Sequence, residues 1–221
     1  MPAPDLALYR IAGIPLITPG DDLARILSGC LQHMALALQP GDILAVAQKI
    51  VSKAEGRIVN LATVKPSDAA IELATETGKD PRVVELILNE SRRIVRKSPG
   101  ILITEHRLGH VMANAGIDRS NVAGDEDTVL LLPEDPDRSA QTLRQRLREL
   151  AGIAPGVIVT DSFGRPWRMG TTGVAIGCAG VAVLEDLRGH RDLFERELQV
   201  AETATADALA AAAGILMGEG A

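Results

Sequence analysis

Ile101-Leu102-Ile103-Thr104-Glu105-His106-Arg107-Leu108-Gly109-His110-Val111-Met112-Ala113 is the stretch on which the fold class turns. Ile101 to Glu105 is apolar and β-branched, Leu108-Gly109 marks a turn, and Val111-Met112-Ala113 follows as a second short strand. Two such runs around a turn predict an antiparallel hairpin. His106 and His110 are four apart, the spacing of a helical zinc pair. The turn between them removes the helix, so they are read as ordinary polar residues.

Helices and strands alternate on either side. Pro19-Gly20-Asp21 is a turn with Asp21 as helix N-cap, and Leu23, Ile26, Leu27, Cys30, Leu31, Met34 and Leu38 form one apolar stripe. Pro40-Gly41 ends that helix and Ile43 to Ala47 is a short buried strand. Pro66-Ser67-Asp68 opens a second helix closed by Gly78, and Asp80-Pro81 opens a third that reaches about Glu90. Val129 to Leu132 is a strand. Asp137 to Leu150 is a helix with Leu143, Leu147 and Leu150 inward, capped by Gly152. Gly156 to Thr160 is a strand ending at Asp161, Gly173 to Leu184 is Gly-rich strand, and Ala201 to Met217 is an Ala-rich helix. No solenoid period and no linker is visible. The expectation is a mixed α/β (α+β) fold with largely antiparallel sheets and packed helices, a single domain over 1–221 with room for two lobes.

Composition narrows the function. Hydrophobic residues make up 46% of the 221 and charged residues 24%, which excludes wholesale disorder. Aromatics are only 2%, so the core must be aliphatic and stacking platforms for single-stranded nucleic acid are scarce. The net charge of −6 argues against a nucleic-acid partner. No apolar run is long enough for a membrane span and the first residues do not read as a signal peptide, so a cytoplasmic protein with two reduced thiols, Cys30 and Cys178, is expected.

The common phosphate-loop and dinucleotide signatures are absent. Four polar segments remain. Asn114-Ala115-Gly116-Ile117-Asp118-Arg119-Ser120-Asn121 gathers oxygens that suit a hard divalent cation, or else an Asx-rich turn that caps its own backbone. Thr160-Asp161-Ser162-Phe163-Gly164-Arg165-Pro166-Trp167-Arg168 places a carboxylate and a hydroxyl at a strand end, followed by guanidinium groups suited to phosphate or carboxylate. Its alternative is a solvated turn with Trp167 as a packing anchor. Ser52-Lys53-Ala54-Glu55-Gly56-Arg57 reads as a loop after a strand, with Lys53 for a phosphate and Glu55 with Arg57 as a local pair, or simply as a solvated run. Met217-Gly218-Glu219-Gly220 is a helix end that a left-handed cap already explains. Carboxylates repel a polyphosphate unless a divalent cation stands between them, so the set together suggests metal-bridged phosphate binding.

These segments, with Gly13-Ile14-Pro15-Leu16 and Ala175-Ile176-Gly177, resemble in order the coenzyme F(420)-0:L-glutamate ligase (γ-glutamyl ligase) family over nearly the whole chain. The resemblance implies a GTP-dependent ligase of coenzyme F(420) biosynthesis. It would activate the lactyl carboxylate of F(420)-0 as an acyl phosphate and join it to L-glutamate, with further γ-linked additions. It also implies two divalent cations, Mg²⁺ or Mn²⁺, and an intertwined homodimer. Ile14, Pro15, Leu16 and Ile17 would line the nucleotide site with Gln48, Lys49, Lys53, Asn121, Met217, Gly218, Glu219 and Gly220. Asp118 and Asp161 match ligands of one metal, and Ser162 and Glu219 ligands of a second. The resemblance also implies Lys53 and Arg165 as the catalytic cations. Met169 stands where many relatives have a polar residue, and the family motif continues past the point where this sequence stops, at Ala221. The alternatives are a related metal-dependent amide ligase with another acceptor, or a non-catalytic GTP- or metabolite-binding homologue.

Overall fold

The computed structural model describes residues 6–120 and 127–218. In chain order its elements are α1 (Leu23–His33), β1 (Ile43–Ala47), α2 (Gln48–Ala54), β2 (Ile58–Asn60), α3 (Asp68–Thr77), α4 (Pro81–Asn89), β3 (Ser91–Ser98), β4 (Ile101–His106), β5 (Val111–Ala113), β6 (Thr128–Leu130), α5 (Pro136–Ala151), β7 (Gly156–Arg165), β8 (Arg168–Ala179), β9 (Glu185–Asp186), β10 (Glu202–Thr203) and α6 (Thr205–Met217). The 101–113 hairpin forms as its sequence requires, and β3 extends it to an antiparallel β3–β4–β5 sheet. β2 pairs with β6 and β9 with β10, both antiparallel. In the fourth sheet β7 lies antiparallel to β8 and parallel to β1. The mixed α+β class with largely antiparallel pairing therefore holds, with β1–β7 as a parallel pair.

Side-chain alternation along β7 builds a three-layer stack. Val157 and Val159 face α1 and α5, joining Leu27, Leu143 and Leu147 in one core. Ile158 faces the other way, onto Ala206 and Ala210 of α6. A second core lies where α3 and α4 cover the β3–β4–β5 sheet through Leu73, Val84, Ile87 and Leu102.

Several expectations need correction. The first helix is capped by Asp22, not Asp21, and stops at His33, not near Leu38. Ala35 turns left-handed (φ 54°), and the Leu36 and Ala35 amides close onto the Leu31 and Gln32 carbonyls. That double closure ends a helix without the usual glycine. The 52–57 segment is not a loop after a strand, because α2 follows β1 directly. Glu55 and Arg57 do not pair locally: Glu55 accepts from the Ser139 hydroxyl and Arg57 reaches Glu90. Leu150 is not inward but 42% exposed, while Leu143 and Leu147 are buried. The strand from Gly156 runs on through Asp161 to Arg165, so Asp161 lies within a long hairpin and not at a strand end. Its Gly-rich partner covers Arg168–Ala179, not 173–184, and α6 starts at Thr205, not near 201. β6 is Thr128–Leu130, one residue earlier than read at its start and two at its end. Trp167 anchors no packing within the chain, standing fully exposed (101%) at the hairpin tip.

A buried charge cluster ties these parts together. Glu90, just past α4 and 13% exposed, accepts from Arg57 Nη2 at 2.9 Å and Arg107 Nε at 3.0 Å, and lies 3.3 Å from His106 Nε2. Arg57 also donates to the Leu132 carbonyl and Arg107 to that of Glu134. His106 is fully buried and its Nδ1 accepts the Leu108 amide, so Nε2 is the ring nitrogen left to donate toward Glu90. Burial raises the Glu90 carboxyl, but His106 and the two guanidinium groups outweigh it and hold it at about 2. A carboxyl lowered on folding gives stability that is present above its unfolded value near 4.5 and lost as pH falls through about 2. Glu90→Gln is expected to cost about 3 kcal/mol at neutral pH. In urea titrations the gap between wild type and variant should close as pH falls from 4.5 towards 2; a gap independent of pH would refute the assignment.

Candidate functional site

The site grows from the end of β1. Ala47 pairs with Thr160 of β7, and the next residue of each strand carries chemistry: Gln48 opens α2, and Asp161 continues β7. Buried Gln48 accepts from the equally buried Ser52 hydroxyl at 2.9 Å, which locks the inner face of α2. One position on, Lys49 reaches across to the 114–120 loop. Its ammonium lies 2.6 Å from Asp118 Oδ2 and 2.6 Å from Ser120 Oγ. Lys53 follows one turn later on the same helix face. Burial lowers its ammonium below the usual lysine value, and the nearby Lys49 charge lowers it further.

Asp118 is held from both sides. Its backbone exchanges two hydrogen bonds with Leu130, at 3.0 and 2.8 Å. Its Oδ1 accepts the Ser120 amide at 2.7 Å, and its Oδ2 accepts the Ser120 hydroxyl at 3.0 Å. The Asx-turn reading of this loop is thus correct as geometry, and the carboxylate nonetheless meets a cation. Burial raises the Asp118 carboxyl, but Lys49 and the two Ser120 donors outweigh it and leave it below the ordinary carboxylate value. The approach to Asp118 is a run of left-handed residues, Asn114 (φ 53°), Ala115 (φ 51°) and Gly116 (φ 69°). Two of the three are not glycine, a form of strain that gathers at functional sites.

The remaining expected residues are distributed around this centre. Asp161 and Ser162 are successive residues of β7 and point to opposite faces. Asp161 shares its face with Val159 and Phe163, in the core that includes Val51 of α2. Ser162 shares the face of Ile158, where α6 packs. Arg165 stands four residues beyond Asp161, roughly 13 Å along the strand. The 14–17 segment carries no regular secondary structure, with Ile17 buried and Leu16 exposed, and the Gly20 amide just after it bonds the Ala54 carbonyl at the end of α2. Met217 ends α6 and Gly218 caps it. Asn121, Glu219 and Gly220 lie outside the described residues. Ser120, which holds both Asp118 and Lys49, belongs to the quoted motif but was given no role. The Asp-x-Ser spacing of an Asx turn is the signal that would have found it.

The donor chemistry fits a divalent cation. Carboxylate and hydroxyl oxygens suit Mg²⁺ or Mn²⁺, and Asp118 and Ser120 already seat one cation, the Lys49 ammonium. Among the described residues no three His, Cys, Asp or Glu side chains converge. His106 and His110 part company, His106 to Glu90 and His110 edge-on to Phe163.

Residues 12–221 match the family model described as F420-0:Gamma-glutamyl ligase. The chain belongs to this family. It is 52% identical over 217 residues to a coenzyme F420:L-glutamate ligase of Methanopyrus kandleri, a match that covers 97% of the chain and 83% of the relative. It is also similar to the enzymes of the same name from Methanothermobacter thermautotrophicus (45% over 214 residues, 97% and 84% covered) and Methanocaldococcus jannaschii (44% over 182 residues, 82% and 72% covered). Among the described residues no helix is long and apolar enough to cross a membrane.

Proposed function

We propose that the protein is a GTP-dependent ligase joining L-glutamate to the lactyl carboxylate of coenzyme F(420)-0, with one ligase domain over 1–221. The observation that carries this reading is the family match over residues 12–221. In the first step a carboxylate oxygen attacks the γ-phosphorus of GTP; a P–O bond forms, the bond to GDP breaks, and an acyl phosphate results. In the second the glutamate amine attacks the acyl carbon. The C–N bond forms as the C–O bond to phosphate breaks, phosphate leaves with the electron pair, and nitrogen sheds its proton.

The chain's own residues have distinct tasks in this reading. Lys53, on α2, sets a fixed positive charge against the transferring phosphate. Ile14, Pro15, Leu16 and Ile17, tied to the end of α2 through Gly20, border the nucleotide with Gln48 and Lys49. Asn121 and the 217–220 segment complete that border. Arg165 at the hairpin meets an anionic group of substrate. Asp118 and Asp161 would hold one divalent cation, with Ser162 and Glu219 for a second. Bound there, Mg²⁺ or Mn²⁺ would neutralise phosphate oxygens that the carboxylates would otherwise repel. Lys49 holds Asp118 in place until then.

The cytoplasm and a homodimer complete the reading. Trp167 and Met169, both fully exposed on the β7–β8 hairpin, support a second copy covering this edge. Incubation with F(420)-0, GTP, L-glutamate and Mn²⁺ is expected to give GDP and a product heavier by one glutamyl unit. Sedimentation equilibrium of the same preparation should give twice the 23.3 kDa chain mass. Intact protein that makes neither GDP nor product removes the ligase reading, and a monomer removes the dimer.

A further inference from the structure

We propose that the cavity beside Asp118 is the binding subsite for a dicarboxylic α-amino acid, the amine substrate of the ligase reading on which this inference rests. The cavity has a volume of about 340 Å³. That is the lower end of small-ligand sites and ample for a glutamate. Val83 and Ile117 give it apolar walls, Lys79 and Arg119 bring two cations, Asn114 and Asp118 bring oxygens, and the Asp80 carboxylate completes the lining.

Three of these polar groups, Lys79, Arg119 and Asn114, are incompletely used. Half-buried Lys79, just past the left-handed Gly78 that ends α3, makes no ion pair among the described residues. Arg119 reaches Asp80 only at 3.6 Å, while Asp80 is already taken by Arg82 through contacts of 2.8 to 3.2 Å. Asn114 Oδ1 is shielded from solvent and accepts no hydrogen bond. An unfilled buried acceptor and an unpaired half-buried cation both cost free energy, and a ligand with the opposite groups removes that cost. Glutamate has them: an ammonium for Asn114 Oδ1, carboxylates for Lys79 and Arg119, and two methylenes for Val83 and Ile117. Asp118 forms both a wall of this cavity and the contact with Lys49, so an amino acid seated here borders the Lys49–Asp118 centre.

Titration of the full chain with L-glutamate, in Mn²⁺ and GDP, reads the cavity without turnover. Steady-state assays read it during the reaction. Lys79→Ala is expected to raise both the dissociation constant and KM for L-glutamate about tenfold or more. KM for GTP should stay within about twofold, since the nucleotide is placed elsewhere, and Lys79→Arg should recover most of the loss because the charge is kept. An unchanged L-glutamate constant in Lys79→Ala overturns the subsite. So does a change confined to KM for F(420)-0, which would give the cavity to the other carboxylate substrate. Wild-type protein that binds L-glutamate through Lys79 but makes no amide would leave the subsite standing and remove the ligase reading. Normal turnover unaffected by Lys79→Ala would do the reverse, and a wild type that neither binds nor ligates L-glutamate overturns both.

Discussion

Asp118→Asn is expected to lower ligase turnover by about a thousandfold while leaving the protein folded. The substitution keeps an oxygen for the Ser120 amide and leaves both backbone bonds to Leu130 in place, so urea stability should change by no more than about 1 kcal/mol. What it removes is charge. The Lys49 ammonium, 2.6 Å from Asp118 Oδ2, loses its counter-ion, and the site loses a hard anionic donor. Several kcal/mol of transition-state charge stabilisation depend on such a donor, and about 1.4 kcal/mol is a factor of ten in rate. Calorimetric titration with Mn²⁺ should show the matching loss of metal affinity. Asp161→Asn should fall to a similar rate, and the double variant to little less than either single one, because residues that act as a unit are not additive. Turnover of Asp118→Asn within about tenfold of wild type, or unchanged Mn²⁺ binding, would refute the metal role.

How far this site was legible depends on how local its signals are. Helices with written caps were read closely: Ser67 and Gly78 bound α3, Asp80-Pro81 opens α4, and Gly152 closes α5. The helix α2 was missed because Ala47, its N-cap residue, makes no side-chain cap and the chain enters it straight from a strand. The end of α1 was missed because Ala35 takes a left-handed turn that sequence assigns to glycine or asparagine. The strand β3 was missed because its arginine- and lysine-rich run has few apolar residues and lies largely exposed, held by pairing with β4. The long β7 was cut short because its polar half from Asp161 onward reads as a turn, whereas Asp161 to Arg165 pair with β8 in the hairpin. Asp118 and Lys53 came from the motifs, but the Lys49–Asp118 contact joins residues far apart in the chain, which no local pattern encodes. Lys79 carries no signal beyond following Gly78.

The glycines of β8 are legible only in the structure, and Gly177→Ala is expected to cost about 4 kcal/mol, the largest single loss of stability outside the site. The β7–β8 register slips by one residue between Val159 and Thr160, where Val159 pairs with Gly177 and Thr160 with Ala175. The extra residue on β8 turns both Ile176 and Gly177 toward the side that α5 covers. A Cβ at Gly177 would stand 2.3 Å from the Pro136 carbonyl carbon and 2.5 Å from both its oxygen and its Cβ. Two of those three atoms are backbone, at the first residue of α5, and cannot swing aside as a flexible side chain would. Nor can α5 withdraw easily, because Asp137 in its first turn accepts the Cys178 amide at 2.8 Å and Leu143 and Leu147 are seated in the core. Relief therefore requires either moving the helix or breaking the strand register. The β7–β8 register sets Thr160 opposite Ala175 and Asp161 opposite Val174, so surviving folded protein should also lose ligase activity. Gly164→Ala is the control: the same added methyl on the same hairpin meets nothing within 4 Å and should be close to neutral. Urea midpoints that fall equally in the two variants would show that backbone freedom, and not the approach of Pro136, is what Gly177 provides.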